Sequence, residues 1–272
     1  MSFRRRLSVA LLAFAAAAPA LGAQRRPITF EDFAAAKIVS DPQLSPDGRW
    51  LLYAVRSADL AANKRTTRTW LAPVSGGAAK LFPDDKAIVA EARWSPDGKS
   101  VAYTSAGQLW IAPVGGGAPK QLTNLTGGAS GPVWAPTGDH IAFVSAVYPE
   151  CREEACNASK EKAKDDSKVK AHIADDLLFR HWNAYDEGTR SHLFVVKPDG
   201  SDLRDLVPGA RYDVPPGPFG GSEGYAWDPS GKNLAFTAKD QGKADAWTTD
   251  VNVYSVSVTG GAARVMTADN RG

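Results

Sequence analysis

The pattern read most clearly at Trp94-Ser95-Pro96-Asp97-Gly98-Lys99-Ser100-Val101-Ala102-Tyr103 recurs along the chain and restricts what the chain can fold into. Its relatives are Ser45-Pro46-Asp47-Gly48 running into Trp50 to Val55, Ala135-Pro136-Thr137-Gly138 running into Ile141 to Val144, and Asp228-Pro229-Ser230-Gly231 running into Leu234 to Thr237. Ser or Asp opens a type I turn, Pro presets the next φ, and Gly accepts the positive φ that leads into a strand. The strands are apolar on both faces, with a small Ala between two bulky residues in Val101-Ala102-Tyr103, Ile141-Ala142-Phe143 and Leu234-Ala235-Phe236. Such strands are sandwiched between two layers.

A second element follows each copy, at Trp70 to Gly77, Leu109 to Gly117, Leu193 to Gly200 and Val253 to Gly261, with glycine-rich turn residues that tight hairpins demand. The prolines of successive copies stand 50 and then 40 residues apart, at 46, 96 and 136. Turn, strand, hairpin and strand at this period predict an all-β chain, an incomplete β-propeller of about four blades.

The other segments are placed around the blades. Arg4-Arg5-Arg6, the apolar Leu7 to Ala18 and the small-residue ending at Ala23 make residues 1–23 a secretory signal peptide, with Ala20 as the other cleavage point. Its apolar core is too short to span a bilayer, which takes about 20 residues, so export to the periplasm or the exterior without a membrane anchor is expected. Removing those residues turns 32 basic against 30 acidic residues into 29 against 30, and no basic stripe remains to bind nucleic acid. Residues 24–40 hold a short helix capped by Thr29, and blades fill 41–272. The first blade carries the charged stretch Arg56 to Arg68 as a loop between its inner strands. The third blade is interrupted over 146–190. There, Cys151 to Lys170 suits a solvated helix or loop, and Ala171 to Tyr185 an amphipathic helical turn. Alternatively, the 93 residues between Pro136 and Pro229 hold two degenerate blades.

Few residues point to chemistry. Cys151 and Cys156 are expected to form a local disulfide after export, since two thiols with no histidine at finger spacing do not make a zinc site. No metal motif, phosphate loop or dinucleotide fingerprint occurs, so neither a metal nor a cofactor is expected. Gly220-Gly221-Ser222-Glu223-Gly224 fits the nucleophile elbow G-x-S-x-G, but a blade strand follows it, and His140, His172, His181 and His192 all precede Ser222. No catalytic residue is therefore assigned. Glu153-Glu154 is a carboxylate pair suited to a peptide amino terminus, or else a solvated face. Arg180, His181 and Trp182 beside Asp186 and Glu187 place a cation, aromatics and carboxylates in one inserted segment, and Arg180, His181, Trp182 and Glu223 are the expected substrate-binding residues. In the competing reading Trp182 packs the insertion on the rim, Arg180 pairs with a local acid and Glu223 caps a turn.

The S-P-D-G repeats, Asp175-Asp176-Leu177-Leu178-Phe179-Arg180-His181-Trp182, Ser191 to Val195, and Pro215 to Trp227 with Phe219-Gly220-Gly221 resemble the N-terminal half of bacterial secreted serine peptidases of the prolyl oligopeptidase family, in its dipeptidyl-peptidase and acylaminoacyl-peptidase branches. The resemblance implies a propeller that caps an α/β-hydrolase domain and restricts entry to short peptides. That domain, with its Ser-Asp-His triad, is absent from this chain. What is implied is the substrate-gating portion of an exported serine peptidase that releases short N-terminal pieces from peptides, inactive by itself. The other reading is a free-standing periplasmic propeller of the TolB type that binds or scaffolds.

Overall fold

A computed structural model describes residues 26–174, 177–217 and 220–269. The expected signal peptide, Asp175, Asp176 and Phe219 lie outside these residues.

A short helix, α1 (Phe30–Ala35), opens the described chain, and its start is the expected capping box: Thr29 accepts from the Asp32 amide while Asp32 accepts from the Thr29 amide. Four four-stranded antiparallel sheets follow. The first contains β1 (Ile38–Leu44), β2 (Trp50–Asp59), β3 (Lys64–Pro73) and β4 (Lys80–Leu81), and the second β5 (Ala90–Trp94), β6 (Ser100–Ser105), β7 (Gln108–Pro113) and β8 (Lys120–Gln121). The third starts with β9 (Ser130–Trp134) and β10 (Ile141–Val147) and resumes, after an insertion, with β13 (Arg190–Val196) and β14 (Arg204–Asp205). The insertion holds helix α2 (Glu154–Asp166) and a two-rung ribbon of β11 (Arg180–His181) and β12 (Ala184–Tyr185). The fourth sheet is β15 (Tyr225–Trp227), β16 (Asn233–Ala238), β17 (Asn252–Ser257) and β18 (Arg264–Val265). Neighbours in each sheet are consecutive strands of the blade, as in a propeller; the described part of the interruption forms no further blade.

The repeat residues build the turns as their chemistry dictates. In the second blade Ser95 Oγ donates to Asp97 Oδ1 (2.7 Å) and accepts from the Ser100 amide (3.0 Å), and the Lys99 amide donates to Asp97 (3.0 Å). Ser45 and Asp47 repeat this arrangement in the first blade. The closing glycine sits at φ 68° in Gly98 and at 70–77° in Gly48, Gly138 and Gly231, a region open to Gly at little cost.

Two contacts join each blade to the next. The indole N–H of Trp94 donates to the Gln43 carbonyl (3.0 Å), that of Trp134 to Arg93 (3.0 Å), and that of Trp227 to Val133 (3.0 Å). In all three the acceptor lies one residue before the equivalent position of the preceding blade. The apolar triplets then interlock: Leu52 packs with Val101 and Tyr103, Ala102 with Ile141 and Phe143, and Ala142 with Leu234 and Phe236. The middle residue thus faces the following blade and receives the two bulky residues of its triplet. This explains the strands' apolar character on both faces. Ala102 and Ala142 are buried, whereas Ala235, in the last blade, is exposed.

Two local expectations are corrected. Arg56 to Arg68 is not a loop: β2 and β3 stay paired from Trp50↔Pro73 to Asp59↔Lys64, leaving only residues 60–63 as the turn. The β-branched Thr66, Thr67 and Thr69 favour extended backbone, and the hairpin projects beyond the blade. Nor do the described residues of Ala171 to Tyr185 form a helix. Ile173 is 81% exposed and Leu177 is also exposed, so no facing surface takes up the apolar stripe that a short helix needs for stability.

Ala142→Leu is expected to destabilise the fold by about 1–3 kcal/mol through overpacking, and Trp134→Phe by about 1 kcal/mol through the lost hydrogen bond. Ala235→Leu should stay within about 0.5 kcal/mol of the parent. Urea unfolding of the three variants checks this ordering.

Candidate functional site

The insertion is fastened to the third blade at its root. Cys151 and Cys156 are bonded, with Cα atoms 5.5 Å apart. Asn157, in the first turn of α2, is buried and accepts the Tyr148 amide (2.9 Å); Tyr148 in turn donates its hydroxyl to Glu161 (2.8 Å). Glu154 accepts from both the amide (2.6 Å) and the hydroxyl of Thr126, tying the helix to the end of the second blade. Of the carboxylate pair, then, Glu154 is used structurally, while Glu153 is exposed at the helix N-cap.

Beyond α2 the chain returns along one end of the blades and encloses a cleft of about 450 Å³ against the segments 211–217 and 239–245. Asp186, Arg190, Arg211, Asp213, Lys239 and Asp245 supply charges of both signs to its lining, and Leu177 and Leu178 form an apolar lip. Arg190 organises the wall: it donates to Asp186 (2.9 Å) and to the carbonyls of Arg211 (3.1 Å) and Thr189 (2.7 Å). Burial pushes the Asp186 carboxyl up, but the hydrogen bonds from Arg190 and the Gly188 amide outweigh it and hold the group below the usual range. Its hydrogen bond to Asp186 raises Arg190 in return, against the effect of burial. Asp213 is the reverse case. Burial raises its pKa and the nearby Asp186 adds to the rise, while the Ser191 amide (2.7 Å) and Arg190 pull it down without cancelling the shift.

Asp213 also lines a second cleft, of about 250 Å³, together with Glu91, Gly131, Ser191, Ser222 and Tyr225. Here a hydrogen-bonded chain crosses three blades: Glu91 accepts from Thr104 (3.2 Å) and from the Gly131 amide (3.0 Å), and the buried Tyr225 hydroxyl donates to the Gly131 carbonyl. Gly131 sits at φ 65°, and a Cβ there would lie 2.3 Å from the Tyr225 oxygen, so backbone and space both require glycine. Asp41 and Glu91 occupy the same place in their repeats, three residues before Leu44 and Trp94, and Asp41 pairs with Arg93 of the next blade (2.8 Å). These acids interrupt the ladder of their first strand at a register shift.

The expected substrate-binding residues are dispersed. Arg180 and Trp182 lie on the exposed ribbon outside both clefts, Trp182 at its turn with φ 49° and 77% exposed; His181 pairs through its backbone with Ala184. Glu223 is exposed and accepts the Gly221 amide (3.0 Å), thereby closing its own turn. Ser222 opens a single 3-10 turn before β15 rather than a strand-to-helix elbow, and no hydrogen bond among the described residues joins it to a histidine. Among those residues, no group of three or more His, Cys, Asp and Glu is placed to hold a metal ion. Residues missed by pattern reading, Arg190 and Asp213 above all, lie just outside the repeat. Glu91 had a signal in its fixed offset from Trp94.

The arrangement defines a class first: a row of four propeller blades whose end loops and third-blade insertion form a charged cleft. No protein-family model matches the chain. It is 30% identical over 264 residues to the dipeptidyl-peptidase 5 of Porphyromonas gingivalis, covering 94% of this chain and 38% of that protein. To the dipeptidyl-peptidase 5 of Porphyromonas endodontalis it is 24% identical over 228 residues, covering 82% and 33%. Among solved structures it matches the acylaminoacyl peptidase of Pyrococcus horikoshii (TM-score 0.59, 15% identity, 86% of this chain and 33% of that one). The dipeptidyl peptidase 4 of P. gingivalis matches with TM-score 0.53 at 13% identity, over 84% and 32%. The chain is similar to one part of these peptidases and spans about a third of the length of the relatives it matches.

Asp213→Asn tests the electrostatic assignment of the cleft. A carboxyl whose pKa is raised on folding binds more protons in the folded state, so its contribution to stability falls as pH rises from its unfolded value, 3.8, through the folded one. The variant keeps an acceptor for Ser191 and should lose that part of the decline, which urea midpoints across the acidic range will register. Gly131→Ala is expected to cost at least about 1–3 kcal/mol, measured the same way.

Proposed function

We propose that this chain is the substrate-gating propeller portion of an exported serine peptidase that removes short pieces from the amino termini of peptides. The observation that carries the reading is the alignment with dipeptidyl-peptidase 5 along 94% of the chain. The cleft supports it chemically. Arg190 and Lys239 offer donors for peptide carbonyls, Asp213 and Asp245 offer acceptors for amino groups, and the Leu177 and Leu178 lip accommodates an apolar side chain. The peptide would meet these groups on its way to a hydrolase domain that supplies the activated serine. By itself the chain binds or admits peptides and does not cleave them.

The reading frame after Gly272 tests this proposal. Continuation through further blades into a strand, a G-x-S-x-G turn and a helix, with Asp and His following, is the expected result. A stop codon without a partner gene would leave a free-standing binding propeller. In the assay, the full gene product should release a fluorogenic leaving group from dipeptide substrates while residues 24–272 alone do not. Arg190→Ala in the full product should lower kcat/KM by about 10- to 100-fold, the effect of losing a charged hydrogen bond, and Ser222→Ala should leave it unchanged.

A further inference from the structure

The first blade carries an arm that the other blades lack. β2 and β3 pair over ten rungs, against six for the corresponding β6 and β7, and residues 56–66 are exposed. Arg56, Lys64 and Arg65 lie along this projection, and no salt bridge among the described residues engages them. Its one carboxylate, Asp59, accepts the Ala62 amide (2.9 Å) within the arm's own turn and offsets one of these three positive charges. The exposed charge of the arm is therefore positive.

One edge of the arm is also open. β4 pairs with β3 only at Trp70↔Leu81 and Leu71↔Lys80, after which the Phe82 amide donates to the Thr69 carbonyl (2.9 Å). The chain then leaves the lane: Pro83 carries no donor, and the Asp84 carboxylate is taken by the amides of Lys86 (2.8 Å) and Ala87 (2.9 Å). The Thr69 carbonyl points into that lane, so by strand alternation the amides and carbonyls of Thr67 and Arg65 do the same and meet no β4 residue. Cationic edge residues keep identical edges apart, which disfavours a second copy as the occupant. The same charges favour a strand of opposite sign.

We propose that the open β3 edge, from Lys64 to Thr67, is a strand-addition site for an acidic extended peptide segment. The peptide continues the lane that β4 vacates: its main chain pairs with Arg65 and Thr67, and its carboxylates lie beside Arg65 and Arg56 on one face of the sheet or beside Lys64 on the other. This surface is separate from the cleft of the third and fourth blades and does not depend on the peptidase reading.

The probe is a fluorescein-labelled peptide of alternating Glu and Val, with a Lys-Val counterpart and a version of the Glu-Val peptide methylated on alternate backbone amides. Fluorescence anisotropy with the mature chain is expected to show binding of the Glu-Val peptide that weakens with salt and no binding of the Lys-Val peptide. Lys64→Glu with Arg65→Glu should weaken it by about tenfold or more, with the melting temperature recorded to verify folding. The methylated peptide keeps every charge and leaves the protein unaltered, and it should not bind. Equal binding of the methylated peptide overturns strand addition, and failure of the Glu-Val peptide to bind overturns the site.

Discussion

An indole N–H reaching the carbonyl of the preceding blade, backed by two bulky side chains closing on one small or slender one, holds the blades in order. The hydrogen bond is directional and sets the register between first strands; the interlock sets their spacing. Neither contact suffices alone, because a single exchangeable hydrogen bond contributes only about 1 kcal/mol, and apolar packing by itself tolerates sliding. Three seams repeat the pair with the same offsets, through Trp94, Trp134 and Trp227. The charged cleft lies at the last of these seams, since Arg190 begins a strand of the third blade, Asp213 stands on the connection to the fourth and Lys239 follows β16 of the fourth.

Within the cleft, adjacent carboxylates are set apart by their surroundings. Asp186 accepts from Arg190 and the Gly188 amide on one oxygen and is held below the usual carboxylate range, whereas Asp213 is more deeply buried and is raised above it. The Arg190 guanidinium offers donors and the neighbouring carboxylates offer acceptors, so the wall can meet both kinds of group on a ligand. The insertion that closes the cleft is anchored at its root by the disulfide, by Asn157 and by Glu154, while its far side exposes Ile173 and Trp182.

Much of the architecture could be read from the residues because propeller turns are local. Ser95, Asp97 and Gly98 hydrogen-bond within their own turn, so the pattern carries its structure wherever it recurs. The capping box at Thr29 and the disulfide between Cys151 and Cys156 were equally legible, being contacts between near neighbours in sequence. In the arm of the first blade charge suggests a loop, although the β-branched Thr66, Thr67 and Thr69 favour a strand. The segment at Ala171 to Tyr185 was misread because spacing alone suggested a helix, and spacing says nothing about whether a facing surface exists.

The candidate site divides along the same line. Sequence by itself determined the repeated blade turns, the small residue at the middle of the Ala102, Ala142 and Ala235 triplets and the place of the insertion, since each follows from backbone preference or from periodic burial. Tertiary structure alone decided that Arg190, Asp186 and Asp213 share one wall, that Glu91 reaches Gly131 and through it Tyr225, and that Arg180 and Trp182 stand apart from them. The Glu91, Gly131 and Tyr225 contacts join residues from three blades, and their geometry depends on how whole sheets stack, which no local pattern encodes.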